Sequence, residues 1–194
     1  PEPIMRYLGT LAGAISTGLG SFGFATDGDA DRIGAMDERC NFVDPHKIMA
    51  LTLRYLVEKR GMKHGSVVRT VSTTRMIDRL ASRYGLLLHE TPVGFNYIAD
   101  YMLKEDVLIG GEESGGIAFN GHIPEGDGTL MGLMVIEMVA AYGVSLYELV
   151  QDLLKEVGPA FYERTDLRLR HPVSKSAMTR QLVNEAPAQI GGER

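Results

Sequence analysis

This 194-residue sequence predicts an α/β fold, a mixed, mostly parallel layered sheet flanked by helices. Three observations carry that expectation. Short β-branched or leucine runs recur at Val67-Val68, Leu86-Leu87-Leu88 and Val107-Leu108-Ile109; helical apolar patterns separate them; and glycines such as Gly61 and Gly85 close the helical stretches. Strands alternating with helices over such short intervals need crossover connections, which gives a layered sheet with its function at strand ends.

Taken in order, Met5 to Leu19 has helical spacing, and Gly20 to Ala25 turns into a short strand. Asp44-Pro45 is an N-cap and first-turn pair, and Ile48, Met49, Leu53, Leu56 and Val57 continue it as a helix ending at Gly61. Val67, Val68 and Val71 form a strand, and Thr73/Thr74 can cap the helix of Met76, Ile77, Leu80 and Ala81, which ends near Gly85. A strand at Leu86–Leu88, a helix from Gly94 to Lys104 and a strand at Val107–Ile109 repeat the unit. Ile117-Ala118-Phe119 adds a strand, antiparallel by expectation, before a polar loop and two helices, Thr129–Tyr142 and Ser145–Glu156. Gly158-Pro159 marks a boundary, after which Leu167 and Leu169 alternate as a strand and Met178 to Val183 form a modest helix.

Hydrophobic residues at 44% and charged residues at 23% are ordinary for a chain that buries a core, which argues against disorder. A net charge of −5 with no dense Lys/Arg run gives no support to nucleic-acid binding. Cys40 is the single cysteine, so neither a disulfide framework nor a thiolate metal cluster can form within the chain, and a reducing, cytoplasmic setting is expected. The apolar stretch Thr129–Val144 is interrupted by Glu137 and falls short of the ~20 residues of a membrane span, so it is expected to be a buried helix. The start Pro1-Glu2-Pro3, without Met or a basic signal region, leads us to expect a fragment.

The strongest chemical signal is Asp27-Gly28-Asp29-Ala30-Asp31-Arg32, which places three carboxylates at alternate positions. Convergent hard oxygens suit Mg²⁺, and without a cation the three charges repel one another and raise their own pKa values. Arg32 adds a fixed cation suited to phosphate. Asp27, Asp29, Asp31 and Glu38 also occupy positions 1, 3, 5 and 12 of an EF-hand calcium loop, but Arg32 stands where that loop needs Gly and the preceding segment is strand-like. Elsewhere, Gly110-Gly111-Glu112-Glu113-Ser114-Gly115-Gly116 follows a predicted strand and offers carboxylate and hydroxyl on a flexible backbone, chemistry that can grasp sugar hydroxyls. The five histidines, His46, His64, His89, His122 and His171, show no paired ligand spacing.

Thr26 to Arg32 resembles the magnesium loop of the α-D-phosphohexomutases, and Gly110 to Gly116 resembles their sugar-binding loop. Thr91-Pro92-Val93-Gly94-Phe95-Asn96-Tyr97-Ile98 is similar to the family's turn-to-helix motif near the substrate, and Gly121-His122-Ile123-Pro124-Glu125-Gly126-Asp127-Gly128 to the loop before its long buried helix. The resemblance implies that residues 1–40 are the end of the family's second domain with the metal loop, 41–160 its third domain with the sugar loop, and 161–194 a linker and the truncated start of a fourth domain. It implies metal ligation by Asp27, Asp29 and Asp31, support from Arg32, and substrate contact by Glu112, Ser114, Gly94 and His122. It further implies a Mg²⁺ cofactor, hexose phosphate and hexose bisphosphate as partners, and a phosphoserine donor. Neither the phosphoserine motif nor the phosphate-gripping loop is in this chain, so the chain itself is expected to lack turnover and to need the other domains of its parent. The Glu-Glu-Ser-Gly-Gly form is closer to glucose-type members than to those acting on glucosamine. Asn96 and Gly126 stand where the family usually has cations. They keep open an alternative class, a non-catalytic sugar-phosphate or metal-binding module built on the same fold.

Overall fold

Asp44 opens the principal helix of the chain. Its carboxylate accepts the Lys47 N–H at 3.1 Å and Pro45 takes the first helical position, where a missing N–H costs nothing, so α2 runs Pro45–Glu58 as expected. A computed structural model describes residues 2–161, 165 and 171–189. They fall into a unit ending at Phe161 and a small unit after it. The small unit contains α7, Lys175–Asn184, capped by Ser174, where a modest helix was expected. The strand expected at Leu167 and Leu169 lies outside the described residues.

In the larger unit, β4 (Ser66–Thr70) is the centre of a four-stranded sheet of order β5-β4-β6-β7. Its neighbours β5 (Leu88–Thr91) and β6 (Val107–Gly111) run parallel to it, and β7 (Ile117–Phe119) closes the edge antiparallel to β6. Successive β4 side chains point to opposite faces, and each face has its own cover. Val67 packs into a core shared with α2, α3 (Met76–Tyr84), α5 (Gly128–Tyr142) and α6 (Leu146–Val157). Val68 packs instead with Ile98, Phe95 and Tyr101 of α4 (Phe95–Lys104). Helices on both faces of a mostly parallel sheet are the predicted architecture.

The apolar stretch around Met131, Met134, Val135 and Met138 is the buried side of α5. Among the described residues no single helix is long and apolar enough to cross a membrane. Helix α6 begins with a reciprocal cap in which Ser145 accepts from the Glu148 N–H and Glu148 accepts from the Ser145 N–H.

Several local expectations change. The first helical segment is broken: a 3-10 turn at Met5–Tyr7 precedes α1, Gly9–Ser16. The strand after it, β1, is Gly23–Thr26, and it pairs antiparallel with a strand the sequence did not announce, β2 (Ile33–Met36), itself paired with β3 (Phe42–Val43). The run Ile33-Gly34-Ala35-Met36 is buried throughout and carries no alternation to read. Gly34 is there because a Cβ would lie 2.0 Å from the Pro3 carbonyl oxygen. Leu86 belongs to the end of α3, its N–H bonded to the Ala81 carbonyl, so β5 starts two residues later than expected. Val71 is 60% exposed and lies beyond the end of β4.

Candidate functional site

The carboxylate loop is the connection between β1 and β2, and its shape follows from pairing those two strands. Thr26 is in register with Ile33, so the six residues between them must turn back within the width of one hairpin. Ala30 takes up that turn with φ +60°, a left-handed conformation that costs a residue with a Cβ roughly 1 kcal/mol or more. It is held by the Gly128 N–H, which donates to the Ala30 carbonyl at 2.8 Å.

The loop brings Asp27, Asp29 and Asp31 together, with one carboxylate oxygen from each within 4.8 Å of the others. Their environments differ. The Asp27 side chain is 3% exposed and bound by Arg32, whose Nε donates to Oδ2 at 2.5 Å while its backbone N–H reaches Oδ1 at 3.3 Å. Burial alone would raise the Asp27 pKa, but the Arg32 hydrogen bonds and charge prevail and hold it below the ordinary carboxylate value. Asp31 goes the other way: burial, then the charges of Asp27 and Asp29, push its pKa up. Arg32 also donates to Glu2 at 3.0 Å and lies 3.5 Å from Asp31, so its guanidinium is engaged within the acidic cluster. Glu38, which a calcium loop would need as its last ligand, accepts the Tyr147 N–H at 3.2 Å at the start of α6. The EF-hand reading has no support in this geometry.

The glycine-rich loop leaves the C-terminal end of β6 and returns in β7. Within it the Glu112 N–H donates to the Gly116 carbonyl at 3.0 Å, closing a tight turn, and the Ser114 hydroxyl donates to Glu112 Oε1. Glu113 faces the other way. Its Oε2 accepts Ser72 at 2.5 Å and Thr70 at 3.1 Å, and Thr70 in turn contacts Thr73 at 2.8 Å. The sequence offered Glu113 only as a neighbour of Glu112; its partners lie more than forty residues away, and the one sign of them was the hydroxyl-rich run after Val71. Glu2 beside Arg32 left no sign at all.

The two loops meet. Arg32 and Gly116 form an antiparallel backbone bridge, and a Cβ on Gly115 would lie 2.8 Å from the Ile33 carbonyl oxygen. Phe95, in the first turn of α4 behind Gly94, packs on Gly116, where a Cβ would be 3.1 Å from its ring. Gly94 has φ +137° and precedes α4, placing that turn beside the glycine-rich loop. His122 approaches from the segment before α5, its Nε2 3.0 Å from Asp127 Oδ2, while Asp127 Oδ1 caps α5 through the Leu130 N–H. A cavity of about 430 Å³ lies off this junction, on the β5–α4 edge against Thr91, Pro92, Tyr97 and Tyr101.

Four buried side-chain atoms among the described residues lack a hydrogen-bond partner. His89 Nε2 lies 3.1 Å from a Glu105 carboxylate oxygen, Glu156 Oε1 3.2 Å from the Arg83 guanidinium, and Asp31 Oδ1 3.5 Å from Arg32 Nε without hydrogen-bond geometry. Asp31 Oδ1 and Glu112 Oε2 belong to the two loops that meet. A buried carboxylate oxygen without a donor costs free energy unless a ligand completes it. Three hard carboxylates with one such oxygen fit Mg²⁺, and a carboxylate and hydroxyl pair fits a polyol.

Comparison with known proteins identifies the family. The family model described as Phosphoglucomutase/phosphomannomutase, alpha/beta/alpha domain III, matches residues 44–157. A phosphoglucosamine mutase from Carboxydothermus hydrogenoformans is 37% identical over 155 residues, which are 80% of this chain and 33% of that protein. One from Halalkalibacterium halodurans is 31% identical over 183 residues, 94% of this chain and 40% of its own length. Among solved structures, one described as a phosphomannomutase from Thermus thermophilus superposes with a TM-score of 0.76 at 38% identity, over 81% of this chain and 36% of that one. The open form of the Paramecium phosphoglucomutase parafusin gives 0.68 at 26% identity, over 82% and 30%. The chain thus spans about a third of the length of the relatives it matches. With domain III matched across α2 to α6, this chain belongs to the phosphoglucomutase/phosphomannomutase family, the α-D-phosphohexomutases, and represents a part of such a protein.

Proposed function

We propose that the parent protein moves a phosphoryl group between the 1- and 6-positions of a hexose phosphate, and that this chain supplies its metal loop and sugar loop. In domain terms, residues 1–40 are the end of the second domain, 41–160 the third, and 161–194 the start of the fourth. The observation that carries the reading is the bridge between Arg32 and Gly116, which sets three clustered aspartates beside the Glu112–Ser114 turn.

Asp27, Asp29 and Asp31 would hold Mg²⁺; when bound there, the ion supplies charge compensation to a transferring phosphoryl group. Arg32 keeps Asp27 ionised and ready to ligate, and its charge stays within reach of a phosphate. Glu112 Oε2 is the acceptor for a sugar hydroxyl, with Ser114 fixing the orientation of that carboxylate. Gly94 and His122 border the same junction and complete the substrate contacts.

Glucose phosphate is the substrate we favour, on the Glu112-Glu113-Ser114-Gly115-Gly116 sequence. Glucosamine phosphate is the second reading, favoured by the names of the similar phosphoglucosamine mutases. The purified chain should bind Mg²⁺ and show no turnover of glucose 1-phosphate or glucosamine 1-phosphate, because the phosphoserine donor belongs to the remainder of the parent. Calorimetry with Mg²⁺ and each sugar phosphate tests it. Robust conversion by this chain alone would overturn the division of labour, and metal binding without any sugar-phosphate binding would favour a non-catalytic module.

A further inference from the structure

The 122–128 segment touches the carboxylate loop through backbone alone. A Cβ built on Gly126 would lie 2.5 Å from the Asp31 carbonyl oxygen, closer than side chains come to backbone, and 3.1 Å from the Gly116 Cα, a tight contact. Two residues on, a Cβ on Gly128 would be 2.3 Å from the Arg32 carbonyl oxygen, while the Gly128 N–H holds the Ala30 carbonyl at 2.8 Å. From the opposite side come the Arg32–Gly116 bridge and Gly115 against Ile33. Of these contacts, the ones that reach the carboxylate loop fall on residues 30–33, the half that carries Asp31, with Gly128 also beside the Thr26 side chain where a Cβ would lie 3.0 Å away, and none of them falls on Asp27 or Asp29.

We propose that Gly126 is a positioning residue for Asp31: its missing side chain lets the 122–128 segment seat the backbone of the carboxylate loop against the glycine-rich loop, which sets the third carboxylate of the metal site. The inference rests on the metal reading above. Gly126 does not have a positive φ, so its backbone accepts an L side chain, and the objection to one is the contact. That separates Gly126 from Gly115, where φ is +107° and conformation and contact act together. It also makes the site's chemistry legible, because a longer basic side chain at 126 meets the same obstruction at its first carbon. In this backbone arrangement a cation at 126 and the close seating of Asp31 exclude each other.

The test is Gly126→Ala in the same chain, a change that adds one methyl group and no charge. Ile123→Ala, at a 61% exposed position of the same segment, is the control. Mn²⁺ binding is followed by electron paramagnetic resonance, with Mg²⁺ as competitor, and amide hydrogen exchange is followed without metal. The expected result is a ~10–100-fold loss of Mn²⁺ affinity in Gly126→Ala, the scale of changes behind a metal ligand. Ile123→Ala should keep wild-type affinity, and exchange in Gly126→Ala should quicken across 27–33 with β4 and β6 still protected. Unchanged affinity and exchange in Gly126→Ala overturn the proposal, as does a loss of protection throughout the sheet, which would make Gly126 a residue of the whole fold. If the unsubstituted chain binds no Mn²⁺, the metal reading fails by itself. The exchange comparison then decides the positioning role, faster exchange over 27–33 supporting it and identical exchange ending it.

Discussion

Arg32 and Arg69 both gather carboxylates, and the two clusters differ in how their charges close. Arg69, 2% exposed in the central strand, gives Nε and Nη2 to the two oxygens of Asp78 at 2.7 Å each, and Nη1 to Glu90 at 2.8 Å and the Thr70 carbonyl at 3.1 Å. Hydrogen bonding to Asp78 raises its already high pKa, and every nitrogen of the guanidinium has a partner. Arg32 faces Glu2, Asp27 and Asp31 with Asp29 close by, four carboxylates to one guanidinium, and Asp31 Oδ1, 3.5 Å from Arg32 Nε, is buried without a hydrogen bond. A balanced cluster needs nothing more and is structure. An unbalanced one, with a raised pKa on one member, is where a further positive charge would relieve repulsion, and it is the cluster we propose for the metal.

The comparison breaks first at Asp29. Asp29→Asn should reduce Mn²⁺ or Mg²⁺ affinity by more than ~100-fold, beyond the range of outer-shell changes, while leaving stability unchanged or slightly raised because a repulsive charge is gone. Calorimetry and urea unfolding on the same samples measure both. Arg69→Met should do the reverse. Removing one partner of a fully buried pair costs ~3–5 kcal/mol, and since Asp78 and Glu90 are 25% and 47% exposed and can recover hydration, about 2–3 kcal/mol is expected by urea unfolding, with metal affinity intact. A loss of metal affinity in Arg69→Met would erase the distinction between the clusters. Ser145→Ala, which removes one half of the reciprocal cap on α6 and no carboxylate of either cluster, should cost ~1 kcal/mol and change no binding.

The smallest effect concerns His46, buried at the start of α2 with Nδ1 accepting the Thr74 N–H at 3.3 Å. Burial lowers its pKa below the usual 6.5; Asp44 and Glu113 pull it up and Lys47 adds to the lowering. A depressed folded pKa means the unfolded chain takes the proton more readily. The stability tied to neutral His46 is therefore complete above about pH 6.5 and drains away as pH falls below it towards the folded value. His46→Gln should show a shallower fall in stability between pH 7 and pH 5 than the unsubstituted chain, by urea unfolding at each pH. Equal slopes would remove His46 from the acid response.

Much of the fold could be read in advance because its signals are local. Asp44-Pro45, Ser145 with Glu148, and the glycines at 85 and 143 punctuate helices through contacts within four residues, and Val67-Val68 needs no partner to read as a buried strand. β2 and β3 escaped because a short, wholly buried run such as Ile33–Met36 has no polar face to give it a period. The break at Leu8 and the shifted start of β5 are questions of where one hydrogen-bond ladder stops, which composition does not encode. In the site, the alternating aspartates and the Glu112-Glu113-Ser114 turn stood out, whereas Glu113's hydroxyl partners and the tie of Arg32 to Glu2 are long-range facts.

By itself the sequence determined which atoms are available: three alternating carboxylates after a short strand, a carboxylate and hydroxyl on a glycine-rich turn after another, and the caps that start the helices. Only the tertiary structure decided that those loops share a backbone bridge between Arg32 and Gly116, that Arg32 spends its charge inside the acidic cluster, and that Gly126 seats directly on Asp31. The reason is physical. Residue types and spacing fix local conformation and charge, but the approach of two backbones to within a hydrogen bond depends on segments more than eighty residues apart packing at once, and no local pattern records it.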